Sequence, residues 1–409
     1  MAENRKILAG ISVLLVAGGF FIFNPIQAYA YQQSDQKANS VSERLSNANN
    51  EFGMDMMKQI SSASNKSNVV ISPLSISSSL TMAYTGSRGD TSNQMKKTLN
   101  YQDISKPEAN SNYRPLIRSL ENVDSRIEIS IANSAWIKQD YPVKDEYKSN
   151  LKENYRAEVN RGLDKQQMNN WVKENTNGNI KRIVKNVRPL DRLFLINAVY
   201  FNGKWKKKFD KSATSQEEFS TSSGKVGVSM MSQTEEFGLH KSEDYRVARL
   251  PYGRNKVAMY VLLPDRYENL EQITRNLTTG ELETVFEDAQ SNSPELRVKL
   301  PKFETEYSRM LTQDLKSLGM NKTFSGKADF TGVSDDGNLY ISSVRHKTFI
   351  EVDEKGTEAA TSTSTGTTQL SASASIPTQF IVDRPFIFFI RDDRSGTNLF
   401  VGKIVNPNK

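Results

Sequence analysis

Two histidines, His240 and His346, are the only imidazoles available for catalysis or metal binding in this chain of 409 residues, which has no cysteine. These numbers exclude three-histidine zinc sites, thiolate metal sites, disulfides and cysteine nucleophiles. A serine hydrolase would need one histidine as its base, but the chain lacks a G-x-S-x-G nucleophile motif. Phosphate-binding G-x-x-x-x-G-K-[ST] and dinucleotide-binding G-x-G-x-x-G motifs are absent as well. We therefore expect a protein that is not an enzyme and uses no cofactor and no metal.

A long uncharged segment is the second feature with chemical consequences. From Ala359 to Val382 there are 24 consecutive residues without a charge, although 25% of the chain is charged. The segment begins with a run of alanine, threonine, serine and glycine. Composition leaves two interpretations open. The segment is either a solvated serine/threonine linker or a functional loop whose small, β-branched residues can join a β-sheet without burying charge.

The overall composition is that of a globular protein, with 37% hydrophobic residues and a net charge of +7. This mild positive excess allows weak binding to polyanions and does not require a nucleic-acid partner. Two clusters of cations stand out, and each is also consistent with an ordinary solvated surface. The first cluster is Lys204, Lys206, Lys207 and Lys208, and the second is Lys181, Arg182, Lys185, Arg188 and Arg192.

Residues 1–30 have the features of a secretory signal peptide. Two basic residues precede an uncharged apolar stretch from Ile7 to Phe23, and Ala28-Tyr29-Ala30 supplies a small-x-small cleavage pattern. We expect a secreted, extracellular protein with no membrane partner after cleavage. A retained N-terminal membrane anchor is the alternative. Residues 31–46 are polar and predict a flexible lead-in.

Hydrophobic periodicity predicts the elements that must position any site. Helices are predicted around 52–60, from Ser72-Pro73 to Gly86, from Met168 to Ile183 and near 305–319. Strands are predicted at 69–71, 193–201, 257–263, 297–303, 339–353, 379–390 and 398–405. Helical patterns dominate the first third of the chain and strands dominate after about residue 190, without internal repeats or linkers. This order predicts one α+β domain.

Seven motifs, in order along the chain, resemble those of the serpin family. They are Asn68-Val69-Val70-Ile71-Ser72-Pro73-Leu74-Ser75-Ile76, Asn169-Asn170-Trp171-Val172 with Thr176-Asn177-Gly178-Asn179-Ile180, Asn197-Ala198-Val199-Tyr200-Phe201-Asn202-Gly203-Lys204-Trp205, Leu300-Pro301-Lys302-Phe303, Glu354-Lys355-Gly356-Thr357-Glu358-Ala359-Ala360, Asp383-Arg384-Pro385-Phe386, and Gly402-Lys403-Ile404-Val405-Asn406-Pro407. Together they identify the chain as similar to a cysteine-free, prokaryotic-like member of the inhibitory serpins. The resemblance implies the serpin fold, with three β-sheets surrounded by eight or nine helices in a single domain at 47–409.

By that resemblance, the chain is a suicide-substrate inhibitor of serine proteases. A reactive-centre loop at about 354–382 would project from one end, form an acyl-enzyme with the protease and insert into the main sheet after cleavage. Alternate side chains of the loop must enter the core, and by the resemblance these inward residues are small and uncharged, which favours this function, whereas Glu358 faces outward. The alternative is a non-inhibitory serpin that acts as a binding, carrier or chaperone-like protein. The expected partner is one target protease per monomer.

The resemblance also assigns roles to individual residues. The hinge residues are Glu354, Gly356, Thr357, Glu358, Ala359, Ala360 and Thr361. The shutter, a polar cluster beneath the point where the strands part, consists of Ser72, Ser75, Asn197 and His346. Trp205 is assigned to the point where the loop inserts. Without the resemblance, we would interpret His346 as a surface residue of a strand and Trp205 as an ordinary core residue.

The spacing of the family gives two answers for the reactive bond. Counting 16 positions from the hinge Glu354 gives Leu370-Ser371, whereas counting back from Pro385 gives Ala374-Ser375. The loop is therefore about four residues longer than is usual for the family. We prefer Leu370-Ser371, because the length of the inserted strand decides whether the protease is trapped. A leucine at this position predicts a chymotrypsin-like or subtilisin-like protease as the target.

Overall fold

Nine α-helices and fifteen β-strands form over the residues that the computed structural model describes, which are 25–63, 66–356 and 376–409. The helices are α1 Pro25–Ala63, α2 Pro73–Gly86, α3 Gly89–Thr98, α4 Lys106–Glu121, α5 Asp145–Tyr155, α6 Lys165–Asn175, α7 Leu270–Asn276, α8 Thr279–Ser291 and α9 Thr312–Ser317. The strands are β1 Val69–Ile71, β2 Ile127–Ile137, β3 Glu158–Arg161, β4 Leu193–Gly203, β5 Ser215–Thr221, β6 Gly224–Glu236, β7 Gly238–Lys241, β8 Tyr245–Tyr252, β9 Val257–Pro264, β10 Glu295–Pro301, β11 Phe303–Met310, β12 Ile341–Val352, β13 Thr378–Ile381, β14 Phe386–Asp392 and β15 Thr397–Ile404.

Most elements follow the apolar patterns of the sequence. Strand β4 is buried at nearly every position, as expected for an apolar run that is covered on both faces. Helix α2 begins at Pro73, where the missing N–H of proline is harmless, and it ends at Gly86. The predicted α+β class is confirmed, with the three sheets that the resemblance implies.

Two predicted helices are wrong in extent. The helix predicted from Met168 to Ile183 is α6, which ends at Asn175, because Asn177 and Gly178 adopt left-handed φ angles of 50° and 81° that stop a helix. The helix predicted near 305–319 is strand β11 followed by the short helix α9. Exposed and buried residues alternate at the start of β11, a period of two that favours a strand.

Two further segments differ from the sequence-based expectation. Residues 31–46, predicted as a flexible lead-in, lie within the helix α1, which begins at Pro25. This stretch contains neither glycine nor proline and has several good helix formers. Strand β2 was not predicted, although isoleucine alternates with polar residues from Ile127 to Ile131. That alternation is the signal that would have identified it.

The fifteen strands form three sheets. The six-stranded sheet has the order β1-β15-β14-β9-β8-β7, and the four-stranded sheet has the order β13-β10-β6-β5. The five-stranded sheet has the order β11-β12-β4-β2-β3. Helix α2 packs against β4 and β2 of the five-stranded sheet and against β15 of the six-stranded sheet, so that every residue of α2 except Thr85 is buried. This helix therefore lies in the core between the two large sheets.

Helix α1 includes the charged residues Glu43 and Arg44. None of the helices within 25–63, 66–356 and 376–409 is long and apolar enough to cross a bilayer.

Candidate functional site

The centre of the five-stranded sheet is a junction of two parallel strands, β4 and β12, which we call the seam. Ile341 lies beside Leu193 at one end of this ladder, and Ile350 lies beside Phe201 at the other. The outer neighbours, β2 and β11, run antiparallel to β4 and β12 respectively. In the middle of the seam, His346 is the direct partner of Asn197.

The four residues predicted as the shutter meet beneath the seam. The His346 Nε2 atom accepts a hydrogen bond of 3.2 Å from the backbone N–H of Ser72, and the His346 Nδ1 atom contacts the Asn197 carboxamide oxygen. The Asn197 carboxamide nitrogen donates to the side chain of Ser75 and to its carbonyl oxygen, the latter at 3.1 Å. Strand β4, strand β12 and the first turn of α2 are thus joined by one chain of hydrogen bonds.

Two members of this polar cluster were not predicted from the sequence. The Asn197 carboxamide also donates to the Asn133 oxygen of β2 at 2.6 Å, and the Asn133 nitrogen donates to the Ser78 hydroxyl of α2 at 3.2 Å. Asn133 lies directly opposite Asn197 across the antiparallel pair of β2 and β4. Recognition of β2 as a strand would have placed this asparagine beside the seam.

His346 is completely buried, and burial lowers its pKa to about 3. The ring is therefore neutral at physiological pH. Because Nε2 accepts a hydrogen bond, the proton resides on Nδ1 and is donated to Asn197. Its partners are a backbone amide and a carboxamide rather than a nucleophile, so this arrangement holds strands together and does not form a base–nucleophile pair.

Trp205 follows β4 directly and contacts the chain that leaves β12. Its indole N–H donates to the Asp353 carbonyl at 2.8 Å, and its backbone N–H donates to the Lys355 carbonyl at 3.3 Å. The indole is stacked on Tyr252, with the ring centroids 4.2 Å apart. Trp205 therefore ties residues 353–355 to the end of β4.

The first described hinge residue, Glu354, is held by an ion pair with the partly exposed Lys302. Its carboxylate accepts from Lys302 Nζ at 2.7 Å and from the Thr214 hydroxyl at 2.9 Å, and its side chain is only 5% exposed. Burial by itself would raise the pKa of Glu354, but these hydrogen bonds keep the pKa below its ordinary value. The carboxylate is therefore ionised at neutral pH and holds the hinge in place.

At Gly356 the chain makes a tight turn between the ends of β4 and β12. Gly356 forms an isolated antiparallel bridge with Asp353 and has a φ of +86°. A Cβ atom at this position would lie 2.3 Å from both the Gly203 oxygen and the Trp205 nitrogen. Only glycine fits this conformation and this space without displacement of the backbone.

The remaining site predictions lie outside the described residues. These are the hinge residues Thr357, Glu358, Ala359, Ala360 and Thr361 and both candidate reactive bonds, Leu370-Ser371 and Ala374-Ser375. The described chain resumes at Ile376, whose side chain is 90% exposed, and then enters β13 at the edge of the four-stranded sheet.

The two cationic clusters lie at opposite ends of β4. The cluster at 204–208 follows β4 beside the hinge, where Lys207 pairs with Glu235. The cluster at 181–192 precedes β4, in a segment without regular secondary structure. Within 25–63, 66–356 and 376–409, no group of three or more histidine, aspartate or glutamate side chains is arranged to hold a metal ion.

Comparison with known proteins agrees with the geometry. A family model described as Serpin (serine protease inhibitor) matches residues 47–407. A serpin-like protein of Thermococcus kodakarensis is 37% identical over 370 residues, which cover 88% of this chain and 85% of the relative. The leukocyte elastase inhibitor of Bos taurus is 35% identical over 382 residues, which cover 89% of this chain and 100% of the relative. The crystal structure of tengpin, a thermophilic serpin in its native state, matches with a TM-score of 0.79 at 32% identity and covers 88% of this chain and 94% of that one.

Proposed function

The chain belongs to the serpin family, and we propose that this serpin is a suicide-substrate inhibitor of serine proteases, which it traps as covalent acyl-enzymes. Support comes from a relative named as an inhibitor of leukocyte elastase, which aligns over its whole length. The family is one of protease inhibitors rather than enzymes.

The observation that carries the proposal is the continuity between the hinge and the seam. The turn from Asp353 to Gly356 reverses the chain at the end of β12, beside the end of β4. A strand that continues from this turn into the seam would run antiparallel to β12, and also antiparallel to β4, because β4 and β12 are parallel. Insertion would thus replace one parallel ladder with two antiparallel ladders, which are slightly more stable per residue.

The sequence of the loop suits such an insertion. Alternate residues of an inserted strand face the core, and by the family resemblance these are Thr357, Ala359, Thr361, Thr363 and Thr365. All are small and uncharged, so their burial costs little, whereas a buried charge would cost several kcal/mol.

The covalent step uses the chemistry of the protease. Its serine oxygen attacks the carbonyl carbon of Leu370, the C–N bond to Ser371 breaks, and the new amino group of Ser371 takes a proton from the catalytic histidine. The ester formed tethers the protease to the hinge side of the loop. Insertion of roughly 15 residues at about 3.3 Å each would carry the protease some 50 Å along the molecule. Distortion of the protease active site then prevents hydrolysis of the ester.

The shutter and the hinge have distinct proposed roles in this process. The polar cluster of Ser72, Ser75, Asn197 and His346 keeps the seam closed, and it can form alternative hydrogen bonds when β4 and β12 separate. The ion pair of Glu354 keeps the loop outside the sheet until cleavage releases its far end.

The proposed target is an extracellular protease with an apolar primary pocket, since Leu370 is the only large apolar residue between Val352 and Ile376. The N-terminal features of a signal peptide support an extracellular site of action. Use of Ala374-Ser375 instead would imply a protease with a small pocket.

The test is incubation with a panel of chymotrypsin-like, subtilisin-like, elastase-like and trypsin-like proteases, followed by electrophoresis in SDS. We expect a stable complex and a released C-terminal fragment that begins at Ser371 by mass spectrometry. A fragment that begins at Ser375 would overturn the assignment of the bond. Cleavage by every protease without any complex would contradict inhibition and favour a binding or carrier protein.

A matched pair of variants tests insertion directly. Thr357→Arg places a charge on the side that must enter the core, so it should abolish the complex while cleavage continues. Glu358→Arg changes the neighbouring residue, which faces solvent after insertion, and it should retain the complex. Equal behaviour of the two variants would contradict strand insertion.

A further inference from the structure

Two cations converge on one backbone oxygen between the end of α2 and the start of α4. The carbonyl oxygen of Ser87, which follows α2, accepts a hydrogen bond from Lys106 Nζ and another from Arg88 Nη1, each at 2.8 Å. Arg88 Nη1 also donates to the Thr85 carbonyl at 3.1 Å. We call Ser87, Arg88 and Lys106 the junction. Its two positive groups contact the same atom, although like charges repel each other.

No carboxylate neutralises the two cations of the junction. Within 25–63, 66–356 and 376–409, neither Lys106 nor Arg88 forms an ion pair. Three acids from the neighbouring elements have other partners, namely Glu108 with Ser105 and Arg44, Asp90 with Lys322, and Asp329 with Thr331. The junction therefore carries a local excess of positive charge.

Arg88 is held beside Lys106 by the packing of its own side chain. The backbone N–H of Arg88 donates to the Asp329 carbonyl at 3.0 Å, and the guanidinium lies against Gly332. A Cβ atom at position 332 would lie 2.6 Å from Arg88 Nη1, so a larger residue there would displace the guanidinium. These contacts and the two hydrogen bonds to carbonyl groups keep the positive charge close to the amine of Lys106.

The surroundings of Lys106 favour the neutral form of its amine. Lys106 is the first residue of α4, at the positive end of the helix dipole, and the ring of the buried Tyr84 shields one side of Nζ from water at 4.3 Å. Burial and the charge of Arg88 lower the pKa of Lys106 to about 8. At pH 7.4 about one fifth of the molecules then carry a neutral amine here, compared with about one in a thousand for an ordinary lysine.

The charge of the junction selects the class of reagent that such an amine would take. A lysine next to another cation is an activated nucleophile, and the side chain of Lys106 is partly exposed, so a small molecule can reach it. The excess of positive charge favours a product that is an anion. Acylation would leave a neutral amide, and an aldehyde would leave an imine that can itself be protonated. Carbon dioxide, in contrast, yields an anionic carbamate.

We infer that Lys106 is a modification site at which carbon dioxide adds reversibly to Nζ, and that Arg88 pairs with the carbamate formed. The lone pair of the neutral amine attacks the carbon of carbon dioxide, and an N–C bond forms. One C=O π bond opens to a carboxylate oxygen, and one N–H proton passes to water. The side chain changes from positive to negative, so the repulsion between two cations becomes an attraction. This site does not rest on the proposed function.

The carbamate would join two helices more firmly than the ammonium does. Its remaining N–H can still donate to the Ser87 carbonyl, which accepts from Nζ in the unmodified chain. Its carboxylate can accept from the guanidinium of Arg88 with two parallel hydrogen bonds. The first turn of α4 and the end of α2 would then be held together by an ion pair, and the backbone of that turn should open less often.

The modification is tested on the full chain at pH 7.4 in phosphate-free buffer equilibrated with carbon dioxide. Carbamates are trapped as esters with triethyloxonium and located by mass spectrometry of peptides. Lys165 is the matched control, because it is the first residue of α6 but is exposed and follows the acid Asp164. Lys106 should be labelled at least about tenfold more than Lys165, since its larger neutral fraction outweighs its lower basicity. Equal labelling of the two lysines would overturn the site.

A pair of arginine variants tests the role of Arg88. Arg88→Gln removes the neighbouring cation and should lower the labelling of Lys106 by about fivefold or more. Arg114→Gln removes another exposed arginine that donates to a backbone carbonyl, that of Glu153, and it should leave the labelling unchanged. Unchanged labelling in Arg88→Gln, or an equal loss in both variants, would contradict the pairing of Arg88 with the carbamate.

Hydrogen exchange supplies a second readout. Carbon dioxide should slow exchange at 105–109 relative to a chloride buffer of equal pH and ionic strength, and Lys106→Gln should show no such difference. Equal slowing in Lys106→Gln would mean that bicarbonate acts as a bound ion, which would overturn the modification. Selective labelling of Lys106 by glycolaldehyde and a reductant, without labelling by carbon dioxide, would replace the carbamate with an imine. No protease enters these measurements, so their failure is distinct from a failure of the proposed function.

Discussion

Acidification from pH 7.5 to 5.0 should weaken the closed seam through one residue, His346. This side chain is completely buried, and its neutral ring accepts from Ser72 and donates to Asn197. Burial lowers its pKa to about 3, whereas an unfolded histidine titrates near 6.5. Between these values the unfolded chain binds a proton that the native chain does not.

The magnitude follows from linkage. Since the pKa of the folded state is the lower one, the full stabilisation is present above about pH 6.5 and is lost progressively as the pH falls towards 3. Each pH unit within this window costs up to about 1.4 kcal/mol. At pH 5.0 the expected loss is therefore about 2 kcal/mol, which for a domain of this size lowers the midpoint of thermal unfolding by about 3 °C.

The assay is thermal unfolding at pH 7.5, 6.5, 5.5 and 5.0, with native electrophoresis to count the remaining monomer. His346→Gln keeps polar atoms at the seam but cannot titrate, so its midpoint should be nearly flat across this range. His240→Gln removes the other histidine, which pairs with Asp288 in the described structure, and should retain the pH dependence of the unmodified chain. If His346→Gln and the unmodified chain lose stability in parallel, His346 is not the responsible group.

Three further outcomes test the hinge and the reactive bond. Gly356→Ala should lower the midpoint of thermal unfolding more than Gly178→Ala does. Both glycines have left-handed φ angles, but only a Cβ atom at position 356 would meet backbone atoms. Equal losses in the two variants would contradict the close packing of the hinge. Glu354→Gln removes the charged partner of Lys302, so the variant should convert faster to latent or polymeric forms on mild heating, as counted by native electrophoresis. An unchanged rate of conversion would show that the ion pair does not hold the loop outside the sheet. Leu370→Arg should shift inhibition towards trypsin-like proteases, measured as the rate of complex formation with each protease class, and an unchanged preference would place the reactive bond elsewhere.

Four residues of the polar cluster beneath the seam could be predicted from the sequence, but some of the residues that they contact could not. Ser72 lies 274 positions from His346, yet the family motifs placed both in one cluster with Ser75 and Asn197, and the structure brings them together. Asn133 and the Lys302 partner of Glu354 were not identified. Asn133 and Lys302 lie on or beside strands whose neighbours in the sheet are distant in sequence. No local sequence pattern therefore reveals the contacts of these two residues with Asn197 and Glu354.

Local physics explains which elements could be predicted. The sequence by itself determined where apolar runs become buried strands such as β4 and β9, where Pro73 starts a helix, and which chemistry is excluded by two histidines and no cysteine. These properties depend on residue type and on spacing over a few positions. The absence of charge from Ala359 to Val382 is likewise a property of the sequence alone.

Only the tertiary structure decided that β4 and β12 are parallel neighbours, that the hinge already turns back at Gly356, and that Asn133 lies beside Asn197. Each of these facts depends on which strands pair across the fold, and pairing is set by packing of the whole core rather than by the residues of one strand. The pKa of His346 has the same origin, since the pKa of an imidazole at a strand position is lowered only when helices and sheets exclude water from it on every side.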